Sequence, residues 1–305
     1  MDITRQQHQL HRGYARAYSE TSNDTDLVFF DVNGNRQSLQ STHSLSVETD
    51  LYETLCTEPN QIEKWFSQKE RLWTDSLKAA REDQPLTSDD YCNLIEFALL
   101  TALRQKETIA VYDGIYKCFA EDNGGDIFKQ SFGSLSQYMG SEWLNQNPVL
   151  AVISIGETEN NCFYLTSDNP VVFFDENRRH QSLWTVPLCT FNGFFFPVSS
   201  TRLFISYLGE GFPELFADNN QLQRVQARKA IFTDRSKEDF LVAECSVPIR
   251  RPQIGIDLYL LNQNIIMEDG TKLPVKAIIL STEDEIWLCP DSGPRSGQSY
   301  RVYSV

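Results

Sequence analysis

The hydrophobic pattern of the chain changes at Asn147–Pro148, and this change constrains the fold more than any other feature. Upstream, apolar residues such as Trp65, Trp73 and Leu77 recur near helical spacing. Downstream, short β-branched and aromatic runs are separated by turn residues. Because helices and strands occupy separate parts of the chain, the pattern predicts an α+β fold. We expect a short N-terminal strand hairpin, a helical middle layer and a mainly antiparallel β C-terminal half.

Turn and capping residues indicate where several elements begin and end. Asn33-Gly34-Asn35 lies between two strand-like runs and predicts a hairpin. The first long helix is expected to end before Pro85, and Thr87 supplies the capping oxygen for a second helix. A later helix is expected to run from Leu222 to Ile231.

Charge and cysteine content exclude several classes of protein. The formal net charge of −15 repels phosphate backbones, so duplex binding by a broad basic face is not expected, while a local basic pocket stays open. The seven cysteines are odd in number and form no C-x-x-C pair, which argues against a disulfide framework or a zinc ribbon and indicates reduced, mostly buried thiols. No secretory signal and no run long enough to cross a bilayer is present, so we expect a cytoplasmic protein without membrane contact.

Common catalytic motifs are absent from the sequence. It contains no G-x-x-x-x-G-K-[ST], H-E-x-x-H, G-x-S-x-G or G-x-G-x-x-G pattern. The usual support for a nucleotide-binding, zinc-protease, serine-hydrolase or dinucleotide-binding protein is therefore missing. Candidate catalytic and binding residues therefore rest on individual side chains and not on a known motif.

A polar turn, TSDNPV at residues 166–171, separates two strand-like runs. Asp and Asn accept turn geometry by bonding nearby backbone, and Pro170 prevents Asn169 from continuing a helix. Turns on a rigid scaffold often display functional side chains. Asp168 is therefore either a residue that closes the turn or a base, a metal ligand or a partner that orients His8.

Histidines and glutamates supply the other candidate acid and base groups. His8 and His11 would share a face if their segment is helical, which suits metal binding or proton transfer. The alternative is a pair of solvated or hydrogen-bonded histidines, and it fits His11 better than His8. Glu63 and Glu70 are two helical turns apart and face the same way. Paired carboxylates act as acid and base or bind a divalent ion, although carboxylates on such helices are usually only solvated.

Arg104 follows a strongly apolar run at the end of the second helix. The helix dipole favours a cation there, so Arg104 is in one interpretation only a C-terminal charge. In the other it is a partly buried guanidinium that binds a phosphate or a carboxylate, including that of Glu63 or Glu70.

The chain resembles a bacterial family of uncharacterised proteins, domain of unknown function 4238. Members open with His, an aromatic, an aliphatic and Pro, continue to Leu-Arg and an aromatic, and carry a Thr-Ser-Asp-Asn-Pro-Val turn. The opening matches here at His8, Leu10, Tyr14, Arg16 and Tyr18, with His11 in place of Pro and Ala15 in place of Leu. The turn matches in full. The similarity covers roughly residues 8–236.

The resemblance implies a core domain and one shared site. The core would cover residues 1–247, with a helical layer at about 60–147 and a sheet-rich part at 148–247, and a β-rich extension would cover 248–305. The residues implied to converge are His8, Arg16, Glu63, Glu70, Arg104 and Asp168. The resemblance brings no reaction, because none is attached to the family.

Two functions stay open. The first is a phosphoester hydrolase, either a nuclease or a nucleotide-acting enzyme, with a role in defence against phage. Its catalytic residues would be His8, Glu63, Glu70 and Asp168, and its substrate-binding residues Arg16, Arg104 and Asn169, with or without a divalent ion. The second is a non-catalytic module that binds a protein or senses a ligand, in which these residues form a structural network. Nucleic-acid mimicry, a third hypothesis, explains only the charge.

Overall fold

The structure of the chain is a computed structural model, and its helices and antiparallel sheets confirm the expected α+β class. The described residues are 6–8, 10–16, 18, 27–31, 36–40, 42, 47–49, 61–105, 143–154, 163–174, 180–181, 191–209, 218–227, 230–246, 256–266, 272–281, 285–290 and 300–303. Residues 106–142 of the predicted helical layer lie outside them.

The described helices are α1 (Arg12–Arg16), α2 (Gln61–Arg81), α3 (Ser88–Leu103), α4 (Asn219–Gln226) and α5 (Glu238–Ser246). The predicted boundary between α2 and α3 is confirmed, since α2 ends before Pro85 and Thr87 caps α3. The Thr87 hydroxyl accepts from the Asp90 N–H, and the Asp90 carboxylate accepts from the Thr87 N–H at 2.9 Å. These reciprocal bonds satisfy backbone donors of the first helical turn. The pKa of Asp90 is lowered because its carboxylate accepts from the Thr87 hydroxyl and from the Thr87 N–H.

The described strands are β1 (Gln6–His8), β2 (Leu27–Asp31), β3 (Arg36–Gln40), β4 (Val47–Thr49), β5 (Val149–Ser154), β6 (Thr166–Ser167), β7 (Val172–Phe174), β8 (His180–Gln181), β9 (Gly193–Ser199), β10 (Arg202–Tyr207), β11 (Ala230–Asp234), β12 (Ile256–Ile266), β13 (Lys272–Ser281), β14 (Glu285–Pro290) and β15 (Tyr300–Tyr303). They form sheets in the orders β1-β4, β5-β10-β9-β7-β8, β3-β2-β11-β6 and β12-β13-β14-β15. The β2–β3 hairpin is confirmed. The division into a core and an extension stays a prediction.

The apolar core lies between the helices and the sheet that contains β9. On β9, Phe194 and Phe196 face α2 and α3, whereas Phe195 packs on the opposite side with Leu203 and Ile205. This alternation follows the two-residue period of a strand. Both faces of β9 are buried, because each is covered by its own apolar cluster.

The predicted helix ending at Ile231 is wrong in its second half. The helix α4 ends at Gln226, and Ala227 takes an extended backbone with ψ of 136°. Ala230 and Ile231 instead belong to β11, opposite Asp31 and Phe30 of β2. The sheet pairing outweighs the local apolar spacing.

The polar turn lies where the chain passes from one sheet to another. Thr166 and Ser167 pair with β11, whereas Val172 pairs with β9. We call Ser167–Asn169 the SDN bend. All three of its side chains are buried, at no more than 1% exposure.

Two cysteine side chains, Cys92 and Cys245, belong to the described part of the chain. Cys92 is an exposed free thiol, and Cys245 is a partly buried free thiol. The other five cysteine side chains lie outside the described residues. Within the described ranges, no helix has the length and apolar character to span a membrane.

Candidate functional site

The helix α1 is joined to the polar turn by Tyr14. Its hydroxyl donates to the carbonyl of Pro197 at 2.6 Å and lies 2.7 Å from the Thr166 hydroxyl. Because Tyr14 has a single hydroxyl proton, Thr166 donates to it in this arrangement. Thr166 is two residues before Asp168, so the N-terminal segment and the SDN bend are neighbours in the fold.

Two tyrosines in this segment are buried, Tyr14 of α1 and Tyr18, which lies two residues after that helix. Tyr14 is 0% exposed and Tyr18 2% exposed. Burial raises the pKa of both phenols well above the usual value, although the hydrogen bond with Thr166 lowers it in part. The two phenols are therefore neutral at physiological pH. Burial lowers the pKa of Arg81, and its interactions with Tyr18 and Glu82 oppose that effect.

Three ionisable side chains meet where α1, α2 and the end of α3 come together, and we call them the ionic junction: His11, Glu70 and Arg104. Nη1 of Arg104 donates to Oε1 of Glu70 at 2.5 Å. Nε2 of His11 lies 3.9 Å from the other oxygen of that carboxylate, Oε2. The side chains of His11 and Glu70 are 6% and 22% exposed, so the carboxylate keeps partial access to solvent.

Arg104 is the C-cap residue of α3, as its sequence position indicated. Its N–H donates to the carbonyl of Leu100, and its guanidinium lies 4.1 Å from the ring centre of Phe66. The side chain is 1% exposed. Of the two interpretations from the sequence, the structure shows the buried guanidinium that binds a carboxylate, and that carboxylate belongs to Glu70.

Aromatic rings and a glycine position the imidazole of His11. Its ring makes edge contacts with Trp73 and Phe97, at centroid distances of 6.0 and 6.5 Å. A Cβ atom at Gly13 would lie 2.7 Å from Cε1 of His11, well inside the contact distance. Glycine at this position therefore allows the imidazole to lie between α1 and Glu70.

The two N-terminal histidines do not share a helix. His8 lies on β1 opposite Val47 of β4, because this short segment pairs as a strand, and its side chain lies outside the described residues. His11 directly precedes α1 and faces Glu70. The sequence favoured His8 over His11 as the functional histidine, whereas the structure brings His11 close to Glu70. The role of His8 stays a prediction.

Two other predicted residues lie on the same helices as the ionic junction. Glu63 is partly buried on α2, two turns before Glu70, as its spacing indicated. Arg16 is an exposed residue at the end of α1. Their predicted roles as a catalytic carboxylate and a phosphate-binding cation stay predictions.

The predicted carboxylate cluster does not have the geometry of a metal site. Across the described part of the chain, no three His, Cys, Asp or Glu side chains are placed to bind one ion. The side chains of Glu63, Glu70 and Asp168 are all described, and they do not form such a group. One carboxylate oxygen of Glu70 is bound by Arg104 instead.

The helix α4 hydrogen-bonds to the segment around the SDN bend through four side chains that we call the amide clamp: Asn219, Asn220, Gln223 and Gln226. Gln223 donates to the carbonyl of Pro170 and accepts from the hydroxyl of Ser167, each at 2.7 Å. Gln226 donates to the carbonyl of Asn169 at 2.5 Å. These bonds satisfy polar groups that the sheet crossover removes from water.

The first turn of α4 binds the strand before the bend in the same way. Asn219 donates to the carbonyl of Leu165 at 3.1 Å, and Asn220 donates to that of Phe163 at 2.7 Å. The Oδ1 atom of Asn220 also accepts from the Leu165 N–H at 2.8 Å. The backbone from residue 163 to residue 170 is thus positioned by amides of one helix.

The last two residues of the bend, Asp168 and Asn169, form hydrogen bonds inside the protein. The N–H of Asp168 donates to the carbonyl of Ala230 at 3.1 Å, and its side chain is 0% exposed. The side-chain nitrogen of Asn169 donates to the carbonyl of Gln226 at 3.2 Å. The substrate-binding role predicted for Asn169 therefore competes with a structural hydrogen bond.

Sequence reasoning missed the amide clamp, although one signal for it was present. Asn219, Gln223 and Gln226 are spaced by four and three residues, so they lie on one face of a helix. A polar face of this kind is ordinarily exposed to solvent. Here Asn219, Gln223 and Gln226 are at most 4% exposed.

A family profile matches residues 6–237. The chain belongs to this family, described as Protein of unknown function (DUF4238). Neither a curated protein nor a solved structure matches the chain. The range shared with DUF4238 contains the ionic junction, the SDN bend and the amide clamp, whereas β12 to β15 follow it.

Proposed function

We propose that the DUF4238 core of this chain is a hydrolase acting on phosphoesters of nucleotides or nucleic acids. The observation that carries the proposal is the ionic junction, in which an imidazole, a carboxylate and a guanidinium from distant segments meet. The cytoplasmic location and a role in defence against phage remain hypotheses from the sequence.

The geometry supports a division of roles within the ionic junction. His11 is the candidate proton acceptor and donor, because imidazole titrates near neutral pH. Glu70 is the candidate partner of this imidazole, since its Oε2 atom lies 3.9 Å from Nε2 of His11 and a carboxylate beside the base is a feature of other nucleophile-activating sites. Arg104 is a positioning residue, since it is buried and bonded to Glu70 and would not contact a substrate.

Local charge supports phosphoesters as the substrate class. The helices α1 and α2 carry seven basic residues, Arg12, Arg16, Lys64, Lys69, Arg71, Lys78 and Arg81, against three acidic ones, Glu63, Glu70 and Asp75. Their net charge of +4 contrasts with −15 for the whole chain. Lys69 and Lys78 pair with Glu96 and Glu82 outside this count, so exposed cations such as Lys64 and Arg71 would attract a small phosphorylated substrate.

A second function is favoured by one observation, the burial of Arg104 and Asp168 at 1% and 0% exposure. In this alternative the polar residues form a structural network that joins α1 to the helices and sheets of a non-catalytic binding module. Such networks fix a unique packing without performing chemistry.

Hydrolysis of bis(4-nitrophenyl) phosphate, ATP and short single-stranded RNA and DNA tests the proposal, with Mg²⁺, with Mn²⁺ and with EDTA. The variant His11→Gln removes the imidazole but keeps the Glu70–Arg104 pair. We expect its initial rate to fall about 100-fold, the usual contribution of a general acid or base, with an unchanged melting temperature.

Two controls distinguish the alternatives. His8→Gln asks whether the other N-terminal imidazole acts instead. Glu96→Gln removes a second ion pair between α2 and α3, with Lys69, and keeps a side-chain oxygen that can accept from the Trp73 indole. Retained hydrolysis in Glu96→Gln would agree with the proposal. Failure of the wild-type protein to hydrolyse any of these substrates would favour the structural network.

A further inference from the structure

The outer face of α2 carries a line of basic side chains. Lys64, Arg71 and Lys78 are exposed and seven residues apart, so they lie on one side of the helix. Seven residues of helix span about 10.5 Å, and the line is therefore about 21 Å long. Lys78 pairs with exposed Glu82 at 3.9 Å, whereas Lys64 and Arg71 form no ion pair within the described part of the chain.

A second line of side chains, less polar, runs beside the first. Trp65, Leu72 and Ala79 are also seven residues apart, each next to a basic residue. Leu72 is 53% exposed, which is unusual for a large apolar side chain among the described residues. Ala79 is partly exposed, and Trp65 is partly buried against the apolar core. Gln68 and Asp75 lie between the lines, and with Glu82 at the end the face has three cations and two anions. We call it the α2 outer face.

We infer that the α2 outer face binds an acidic amphipathic helix of a partner protein. Side chains that repeat every seven residues meet a neighbouring helix along its whole length, because two supercoiled helices share that period. A partner helix would place its apolar residues on Leu72 and its carboxylates beside the basic line. Helix binding of this kind combines apolar anchors with flanking charges.

Charge and polarity favour a protein over nucleic acid as the occupant. A duplex carries one charge for about every 1.7 Å of its length and would meet the repulsion of the whole chain at −15. A helix with a few carboxylates meets much less repulsion. An exposed leucine in the centre of the face also contributes more to a protein interface than to contact with phosphates.

Fluorescence anisotropy with the full chain tests this inference. The probe is a fluorescein-labelled peptide of three heptads, with Leu at the first and fourth positions and Glu beside them. A scrambled peptide of equal composition tests the need for the pattern, and a single-stranded DNA of 21 nucleotides tests the nucleic-acid alternative. We expect the patterned peptide to bind at least about tenfold more tightly than the scrambled one, since apolar contacts add to charge.

Paired variants connect the binding to the α2 outer face. Arg71→Gln and Gln221→Glu both change the net charge from −15 to −16, but Gln221 is an exposed residue of α4. We expect Arg71→Gln to weaken peptide binding about threefold and Leu72→Ser by a similar factor. Gln221→Glu should leave it unchanged.

Three results would overturn the inference. They are equal binding of the patterned and scrambled peptides, equal weakening by Arg71→Gln and Gln221→Glu, and binding of the DNA in place of the peptide. Hydrolytic activity is not measured in this experiment, so its outcome is independent of the proposed function.

Discussion

The ionic junction and the amide clamp both join distant segments through buried polar side chains, but the first uses charged groups and the second neutral amides. Both connect segments that are distant in sequence, and both place polar groups inside an apolar core. The ionic junction does so with charges, among them Arg104, which is 1% exposed. The amide clamp does so with neutral side chains that match backbone carbonyls one by one.

The difference predicts how each region responds to mutation and to solvent. A buried charge that loses its partner is strongly destabilising, since the remaining ion is neither solvated nor paired. A lost amide bond leaves a neutral group unsatisfied, which is a smaller penalty. Charges also respond to pH and salt, whereas amides do not titrate.

The largest effect is expected for Glu70→Ala, which leaves the guanidinium of Arg104 buried beside Phe66. We expect a loss of about 3–5 kcal/mol in the free energy of unfolding, measured by urea denaturation. The double variant Glu70→Leu/Arg104→Met should be more stable than Glu70→Ala, because it removes both charges. A double variant that is less stable than the single one would show that the pair itself contributes most of the stability.

A smaller loss is expected for Gln223→Ala in the amide clamp. The substitution leaves the Pro170 carbonyl and the Ser167 hydroxyl without their amide partner. We expect about 2–3 kcal/mol in urea denaturation, with no dependence on pH between 6 and 8. Gln221→Ala on the exposed side of α4 is the matched control and should change stability by less than about 0.5 kcal/mol. Equal losses in the two variants would contradict the assigned contacts.

Tyr14, which connects the two regions, should make the protein sensitive to alkali. Burial raises the pKa of Tyr14 and Tyr18 in the folded state above the ordinary value of 10.0. The unfolded chain therefore releases these protons first, and stability present below pH 10 is lost as the pH rises. Each phenol should contribute about 1.4 kcal/mol of loss by pH 11.

The phenylalanine variants isolate this contribution. Tyr14→Phe and Tyr18→Phe should each reduce the slope of unfolding free energy against pH between 10 and 11, measured by urea denaturation at each pH. Tyr14→Phe should also lose about 1 kcal/mol at pH 7, because the Pro197 carbonyl loses its donor. Slopes identical to that of the wild-type protein would show that these phenols titrate normally.

The smallest effect is expected for Lys69→Met, which tests charge without deep burial. Lys69 donates to Glu96 at 2.7 Å, but its side chain is 33% exposed. We expect about 0.5 kcal/mol, and the difference from the wild-type protein should vanish in 1 M NaCl. The loss in Glu70→Ala should persist in the same salt. Equal screening of both would mean that burial does not distinguish the two ion pairs.

The sequence alone predicted those elements whose structure depends on residues close together in the chain. Thr87 and Asp90 form a capping box within one turn of helix, and Asn33-Gly34-Asn35 indicates a hairpin from its own residue types. A carboxylate partner for Arg104 could also be predicted from the sequence, as one of two interpretations. An arginine after a strongly apolar helix is buried with that helix and then needs a nearby anion.

The sequence alone did not predict contacts in which a polar side chain binds backbone that is distant along the chain. Gln223 and its acceptor Pro170 are separated by 53 residues, and a glutamine on a short helix is ordinarily solvated. Burial of Asp168 follows from a crossover between two sheets, which depends on strand order and not on the turn residues. His11 is placed beside Glu70 by the docking of α1, and its neighbours in sequence do not indicate that contact.

The tight approach at Gly13 also restricts which substitutions the N-terminal segment tolerates. A Cβ atom there would lie 2.7 Å from the His11 ring, so any residue other than glycine requires the imidazole to shift or to be replaced by a smaller side chain. A library that varies both positions together should yield folded pairs that neither single-site library contains.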